Sequence, residues 1–312
     1  MSVYILGELN VDMIVGGEDV IPEWNREKVV DRFQVVLGSS SAITACALAG
    51  LGQDVQFVSV VGDDEFGHFC VNRLKEKGVD TTHVQMSRDV QTGVTLSFST
   101  SKDRGLVTYM GSIAALTPAD IPEELYSRAE HVHFGSYFLQ DGMRDHWPQL
   151  FERIRNHGIS TSFDTGWDVR NNWQRDGIVE LLAHTDLFIP SEEEILHILG
   201  ASSVDEVVTA LPSQRLWVLI KRGAQGSMLI SPEGKVMTAP AYDIQPVDTT
   251  GAGDSFNAGA IAGWLSGKHG KDWIEFANAC GAASTLRIGG AEQVSTLVDI
   301  HHFQETHRLK KD

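Results

Sequence analysis

The sequence predicts an α/β protein: a doubly wound, mostly parallel central sheet with helices on both faces and a small separate β element. Three observations support this fold class. Apolar β-branched runs alternate with stretches of helical periodicity through much of the chain, which is typical of parallel βαβ units. Hydrophobic residues make up 42% of 312 residues, enough for a large core. Two segments, about 14–36 and 91–111, interrupt the alternation, and we expect them to stand apart within a single domain 1–312.

The N-terminal part of the chain predicts strands, helices and one hairpin. Helical stretches are expected to end at Gly52 and Gly78, because glycine commonly terminates helices. The hairpin at 93–110 follows from alternating residues on both sides of a polar turn, and Arg104 at that turn is expected to be solvated. In chain order we predict a strand and Gly turn within 3–15, a helix at 41–52, a strand at 55–62, a helix at 64–78 and the hairpin.

In the C-terminal part of the chain, predicted strands and helices alternate more regularly. We predict strands at 131–137, 159–166, 186–191, 216–223 and 227–232, with helices at 146–158, 178–185, 192–200, 254–265 and 271–290. In such sheets ligands bind outside the carboxyl ends of the strands. Glycines and carboxylates dominate the residues that follow the predicted strands. The candidate site therefore lies along that edge.

Bulk composition excludes several classes of function. The net charge is −17 and the basic residues form no block outside the final RLKKD, which argues against a nucleic-acid surface. Three distant cysteines, Cys46, Cys70 and Cys280, lack metal-binding spacing and indicate reduced thiols in the cytoplasm. The N-terminus lacks signal-peptide features and no apolar run approaches the roughly 18 residues of a membrane span. We expect a small-molecule substrate and no membrane partner.

The stretch DTTGAGD, residues 248–254, precedes a predicted helix. Gly251 and Gly253 allow close backbone approach to a ligand, and free N–H groups at a helix start bind anions. Asp254 would repel a phosphate there. It is explained either as a helix N-cap, favourable by about 1 kcal/mol, or as a general base beside a transferred phosphoryl group. Both explanations remain open on this motif alone.

Over its whole length, this motif resembles the C-terminal signature of the ribokinase-like (PfkB) carbohydrate kinases. The resemblance extends in order through GELNVD, GDDEFG, TGVTLSF, FDTGW, KRGAQG and FANACGAASTLRIGGAE. It implies a ribokinase-like fold with a β lid and an ATP-dependent, Mg²⁺-assisted sugar kinase. The implied catalytic residues are Asp254 as base and the backbone of Gly251, Ala252 and Gly253 as anion hole.

The resemblance also implies binding residues. Sugar-binding positions are Asn10, Asp12, Gly38, Ser39 and Ser40, to which the strand end at Tyr137 adds a candidate. Nucleotide-binding positions are Lys221, Gly223, Gly226 and Asn278. Metal positions are Glu194, holding Mg²⁺ through water, with Asp248 and Thr250 as candidates for a K⁺ site.

Several positions depart from the family pattern. Ser39 and Ile43 replace a glycine and an asparagine of the sugar loop, and Ser191 replaces the asparagine that precedes Glu194 in the metal motif. Lys221 stands where the family has threonine, and either reaches a phosphate or pairs with a surface acid. These departures put the sugar preference and the metal affinity in question.

The competing functions are a nucleoside kinase of the same fold and a non-catalytic sugar-binding relative. A dinucleotide-dependent oxidoreductase is disfavoured because GELNVD replaces GxGxxG after the first strand, and a P-loop enzyme because GxxxxGK[ST] is absent. Since sheet-forming lids expose strand edges, we expect a homodimer through the lid.

Overall fold

The strands and helices of the computed structural model lie in residues 1–100, 104–213 and 215–310, which are the residues the structure describes. Strands β1–β13 are Ser2–Leu6, Asn10–Gly16, Arg32–Leu37, Val55–Gly62, Asp80–Ser87, Gly93–Ser99, Arg104–Tyr109, Ala129–Phe134, Ser160–Phe163, Leu187–Phe188, Trp217–Lys221, Ser227–Ile230 and Val236–Ala239. Helices α1–α10 are Ser40–Gly50, Glu65–Glu76, Leu125–Arg128, Trp147–Asn156, Arg175–Leu182, Glu192–Leu199, Val204–Ala210, Ala252–Leu265, Gly270–Ser284 and Leu297–Thr306.

Within the described residues, the central sheet has nine strands in the order β13-β12-β11-β10-β9-β8-β1-β4-β5. The pairs from β5 to β11 are parallel, and the pairs β11-β12 and β12-β13 are antiparallel. The chain adds β4 and β5 on one side of β1 and later adds β8 to β11 on the other. The strand order thus reverses at β1, where such sheets open a ligand crevice.

Both faces of this sheet are buried, as β1 shows. Val3 and Ile5 join a core cluster that includes residues of α1, α8, α9 and α10, whereas Tyr4 and Leu6 join a second cluster that includes residues of α4 to α7. Helices on both faces explain the continuous apolar runs in the strands. The predicted fold class, a doubly wound mostly parallel sheet with helices on both faces, is confirmed.

A second sheet, in the order β3-β2-β6-β7, is built largely from the two segments predicted to stand apart. Strand β2 begins before the predicted boundary, at Asn10, and pairs in parallel with β6. Residues 101–103 of the second predicted segment lie outside the described residues. The sheet's register places Asp12, Thr95 and Thr108 in one row and Met13, Leu96 and Val107 in the next. Because neighbouring rows point to opposite faces, one face is more polar than the other.

Strands β5 and β13 and helices α3, α7 and α10 were not predicted from the sequence. Strand β5 is a partly exposed edge strand with polar residues at several positions, so its apolar pattern is weak. Helix α10 begins with a capping box, in which the side chains of Thr296 and Asp299 each accept a hydrogen bond from the other residue's backbone N–H. This residue pattern is visible in the sequence and could have predicted the helix. No helix in the described parts of the chain has the length and apolarity that crossing a membrane requires.

Candidate active site

A cavity of 580 Å³ opens along the carboxyl edge of the central sheet. Part of its lining consists of charged and small residues, namely Ser40, Asp164, Glu194, Lys221, Gly253 and Asp254. Another part is mainly apolar and includes Tyr242, Ile244, Phe256 and Ala282. Such a combination of apolar walls and a few convergent polar groups is typical of ligand sites.

The loop before α8 is shaped by a glycine in the left-handed region. Gly251 is the N-cap of α8 with φ 75°, a conformation that costs other residues about 1–2 kcal/mol. A Cβ on Gly251 would lie 2.7 Å from Gly290 Cα and 3.0 Å from Ile43 Cγ2. Ile43 therefore packs beneath this loop rather than facing the cavity. The substitution of asparagine by Ile43 serves packing in this protein.

The predicted anion hole offers two amides. The Ala252 N–H already donates to the Thr249 carbonyl at 3.2 Å. Within the described parts of the chain, the N–H groups of Gly251 and Gly253 have no hydrogen-bond acceptor. Unsatisfied N–H groups at a helix start are suited to an anion, so Gly251 and Gly253 are better candidates than Ala252.

Asp254 lies in the first turn of α8 and lines the cavity. The Ser40 hydroxyl donates to its Oδ1 at 2.5 Å. Burial raises the pKa of Asp254 to about 7, while the Ser40 hydrogen bond opposes that shift and the charge of Asp164 adds to it. A carboxylate with such a pKa takes and releases a proton near neutral pH.

A buried ion pair lies beside Asp254. The Lys221 ammonium contacts Asp164 Oδ2 at 2.5 Å, and the Asn257 amide donates to the same oxygen at 2.6 Å. Burial would raise the pKa of Asp164, but the Lys221 charge and these hydrogen bonds outweigh it and hold the pKa below its usual range. Lys221 thus pairs with a buried acid rather than with the surface acid of one alternative; the other alternative, that it reaches a phosphate, stays a prediction. Asp164 lies in the FDTGW motif that carries the family resemblance, whereas Asn257 was not predicted as a site residue.

Glu194 carries the strongest case for a metal ligand. Ser191 caps α6 through a capping box in which its N–H donates to Glu194 Oε2 at 2.8 Å. Burial, reinforced by the Asp164 charge, raises the pKa of Glu194. No group of three or more His, Cys, Asp or Glu within the described ranges could hold a metal alone. A carboxylate such as that of Glu194 is a ligand type suited to Mg²⁺, which keeps waters and binds through one or two carboxylates plus phosphate oxygens.

Asp248 ties two loops together. Its Oδ1 accepts from the Thr250 N–H and its Oδ2 from the Gly289 N–H, both at 2.9 Å. The Arg104 guanidinium, from β7 of the second sheet, donates to the Thr250 hydroxyl at 3.1 Å. Arg104 is exposed but not merely solvated, which corrects the expectation for this residue. It brings the second sheet into contact with the DTTGAGD loop.

Asn10, Asp12 and Gly38 lie together at the start of β2 and the end of β3. Asn10 Nδ2 donates to Asp12 Oδ1 at 3.0 Å, and burial raises the pKa of Asp12 to about 6. A Cβ on Gly38 would lie 2.2 Å from Asp12 Oδ1, so only glycine allows this approach. These residues do not line the 580 Å³ cavity, but Gly38 leads directly into Ser39 and Ser40.

Glu8, which the sequence analysis did not single out, is 2% exposed at the carboxyl end of β1. Its carboxylate accepts hydrogen bonds from the hydroxyls of Ser39, Ser41 and Ser136 at 3.1, 2.8 and 2.9 Å. Ser39 and Ser136 both have positive φ, 74° and 54°. Glu8 therefore holds the N-terminus of α1, which carries Ser40, at the point where the strand order reverses.

Tyr137, the other candidate for sugar binding, lies in the core and not at the cavity. It is 2% exposed in the second core cluster, with its ring against Phe134 and Phe138, and it does not line the cavity. Burial raises the pKa of Tyr137 to about 12. The prediction that it contacts sugar finds no support in this position, because the ring is covered by core residues.

The nucleotide-loop candidates also line the cavity. Gly223 and Gly226 both have positive φ and line it, and a Cβ on Gly226 would lie 2.0 Å from the Ala239 carbonyl. Asn278 also lines the cavity and donates to the carbonyls of Ala239 and Pro240 at 3.3 and 3.2 Å. These three residues and Lys221 therefore border one cavity.

Comparison with known proteins identifies the family. Residues 2–297 match the family model described as pfkB family carbohydrate kinase. The chain belongs to the pfkB family. Its members are carbohydrate kinases, that is, phosphotransferases with an alcohol group as acceptor, and the predicted family and enzyme class are confirmed.

Individual relatives span nearly the whole pfkB chain. An ATP-dependent ribose-1-phosphate kinase of Halopiger xanaduensis is 33% identical over 91% of this chain and 91% of its own length. A probable fructokinase-5 of Arabidopsis thaliana is 31% identical over 86% of this chain and 88% of its own. A putative ribokinase II of E. coli, solved with ATP and Mg²⁺, has a TM-score of 0.85 and 25% identity, covering 98% of this chain and 99% of that one.

Proposed function

We propose that this pfkB protein transfers the γ-phosphoryl group of ATP to a hydroxyl group of a small carbohydrate, a ketose, pentose or sugar acid. The observation that carries the proposal is the position of Asp254. Its carboxylate has a pKa raised to about 7 and lies in the same helix turn as the free amides of Gly251 and Gly253. A base and an anion hole side by side suit phosphoryl transfer to an alcohol.

The proposed reaction assigns a separate task to each group. The acceptor hydroxyl gives its proton to the Asp254 carboxylate and its oxygen bonds to the γ-phosphorus. The bond between that phosphorus and the bridging oxygen breaks, and ADP leaves with the electron pair. The Gly251 and Gly253 N–H groups, with the Lys221 ammonium nearby, stabilise the charge on the transferred group.

We propose Mg²⁺ and K⁺ as the ions involved. Glu194, through water, would hold Mg²⁺, which neutralises charge on the phosphate oxygens when bound. The relative solved with ATP and Mg²⁺ supports this pairing. Asp248 and the Thr250 carbonyl remain candidates for K⁺, and comparing rates in K⁺ with rates in Na⁺ or choline at equal ionic strength tests that site.

The acceptor is proposed to bind beside Asn10, Asp12, Gly38, Ser39 and Ser40. Relatives named as kinases of ribose 1-phosphate and fructose, and a 2-dehydro-3-deoxygluconokinase of Bacillus subtilis at 28% identity, define the acceptors to assay. Adenosine in the same ADP-release assay tests the nucleoside kinase alternative. If every acceptor fails, the non-catalytic sugar-binding alternative gains support.

We propose that the second sheet acts as a lid over this site. Its Arg104 already contacts Thr250 of the anion loop, and closing a lid excludes water from phosphoryl transfer. We also propose a cytoplasmic enzyme, since Cys46, Cys70 and Cys280 are buried free thiols and such thiols are typical of reducing compartments.

Asp254→Asn tests the base. The substitution preserves shape but removes the proton acceptor, and we expect kcat to fall by at least about 10³-fold while ATP still binds. The melting temperature should be equal or higher, because a buried carboxylate is replaced by a neutral amide. A variant with undiminished kcat would overturn the assignment of Asp254.

A further inference from the structure

The chain beyond the last helix returns to the cavity. The Asp243 N–H donates to the Arg308 carbonyl at 2.9 Å and the Lys310 N–H to the Ala241 carbonyl at 2.8 Å, with a β-bridge between Tyr242 and Leu309. These contacts hold residues 308–310 along residues 241–243. This C-terminal segment lies outside residues 2–297, the part matched by the family model.

The segment places a cation in the lining of the cavity, next to apolar residues. Lys310 lines the cavity together with Tyr242 and Ile244, and its ammonium donates to the Ala224 carbonyl at 3.0 Å. Ala224 belongs to the loop between Gly223 and Gly226. The Lys310 side chain therefore connects residues 241–243, along which the C-terminal segment lies, with the loop at 223–226.

The charge of this lysine is available to a ligand. Among the described residues that line the cavity, the positively charged side chains are Lys221 and Lys310. The charge of Lys221 is partly balanced by its ion pair with Asp164 at 2.5 Å, whereas the hydrogen bond of Lys310 goes to a neutral carbonyl. The protein as a whole carries a net charge of −17 and repels anions, so a polyanionic ligand depends on local cations.

We propose that Lys310 is a nucleotide-binding residue, by which the C-terminal segment contributes a cation to the nucleoside triphosphate site. The inference rests on the proposed function, which puts ATP in this cavity. The Gly251 and Gly253 amides take the transferred phosphoryl group. Lys310 exchanges the Ala224 carbonyl for an acceptor atom of the nucleotide, and the exchange breaks no ion pair.

Lys310→Met and Lys310→Gln test this role by equilibrium binding of a non-hydrolysable ATP analogue. A hydrogen bond to a charged group contributes about 1.5–3 kcal/mol, so we expect Kd to rise about 10-fold or more. The KM for ATP should rise in parallel, while kcat and the KM for sugar stay unchanged. Lys310→Arg keeps the charge and should retain most of the affinity.

Lys271→Met is the matched control. Lys271 is exposed on α9, where it pairs with Glu275 at 3.4 Å, and losing it changes the net charge equally without touching the cavity. Lys310→Gln keeps a donor for Ala224, so it supplies the test if the Met variant does not fold. Wild-type affinity in the Gln variant would overturn the role of Lys310. A wild-type protein that neither binds nor hydrolyses ATP would instead overturn the proposed function.

Discussion

The protonation of Asp254 is governed by the side chains around it. Its Oδ1 accepts a hydrogen bond from the Ser40 hydroxyl at 2.5 Å. Ser40 is the first residue of α1, whose N-terminus is anchored to the buried Glu8 carboxylate through Ser39 and Ser41. The altered sugar loop of this chain, with serines at 39 to 41, thus forms a hydrogen-bonded support for the proposed base. Ser39, which departs from the family pattern, thus helps to hold this support in place through its hydrogen bond to Glu8.

Ser40→Ala should shift the pH profile of the enzyme. The Ser40 hydrogen bond lowers the pKa of Asp254, which burial raises to about 7; removing it lets the pKa rise further. The deprotonated form is the proposed base. The kcat/KM of the variant should therefore begin to fall at a higher pH than that of the wild type, with the acidic limb of the pH profile moving up by roughly one unit. Rates at alkaline pH should change least.

The control for this profile is Ser284→Ala, which removes a hydroxyl that donates to the Gly281 carbonyl at 2.8 Å. Its acidic limb should match that of the wild type. An acidic limb that stays in place in Ser40→Ala, with kcat/KM lowered equally at every pH, would contradict the link between Ser40 and Asp254.

At the scale of the element, α8 joins the anion loop to the core. Its N-cap is Gly251, with φ 75°. The rest of the helix is rich in small residues and packs closely on α9, since a Cβ on Gly259 would lie 2.8 Å from Cys280 Sγ. The orientation of the loop amides is thereby fixed by a helix that is buried along most of its length.

Gly251→Ala should reduce both stability and activity, and Gly267→Ala provides the comparison at the other end of α8. Gly267 has φ 72°, but an added Cβ would meet nothing within 4 Å, whereas at Gly251 it would meet Gly290. We expect Gly267→Ala to cost about 1 kcal/mol of unfolding free energy with normal kcat. Gly251→Ala should cost more and lower kcat by about 10²-fold. Equal effects in denaturant titrations and assays would contradict this view of the loop.

At the scale of the whole molecule, the two faces of the second sheet differ in polarity. The register places Met13, Val35, Leu96 and Val107 side by side on one face. The other face carries Asp12, Arg104 and several serines and threonines, and Arg104 reaches the anion loop. The polar face thus serves the site and the apolar face is left partly exposed. This arrangement supports our proposal of a homodimer through the second sheet.

Val107→Asp should weaken such a dimer, with Leu106→Asp as control. Val107 and Leu106 are similarly exposed, at 58% and 56%, on adjacent positions of β7, and therefore on opposite faces. A charge on the apolar face should shift the protein toward monomer in analytical ultracentrifugation, whereas the same charge at Leu106 should not. A monomeric wild type, or equal effects of both changes, would contradict the proposed interface.

The alternation of strands and helices, the glycine-rich loop and the pfkB resemblance followed from the sequence alone. Each depends on residues that are close together in the chain. Hydrophobic periodicity indicates which face of a helix or strand is buried, and glycine indicates a backbone position where a side chain would not fit. That information was also sufficient to propose Asp254 as base.

Only the tertiary structure decided which side chains meet. Ser40 contacts Asp254 across 214 positions of sequence, Lys221 contacts Asp164 across 57, and Lys310 contacts Ala224 across 86. The tertiary structure also shows that Tyr137 lies in the core and that Ile43 packs beneath the loop before α8. The physical reason is that such contacts depend on strand order and on the return path of the chain. Local periodicity, which reflects burial of nearby residues, carries no information about either.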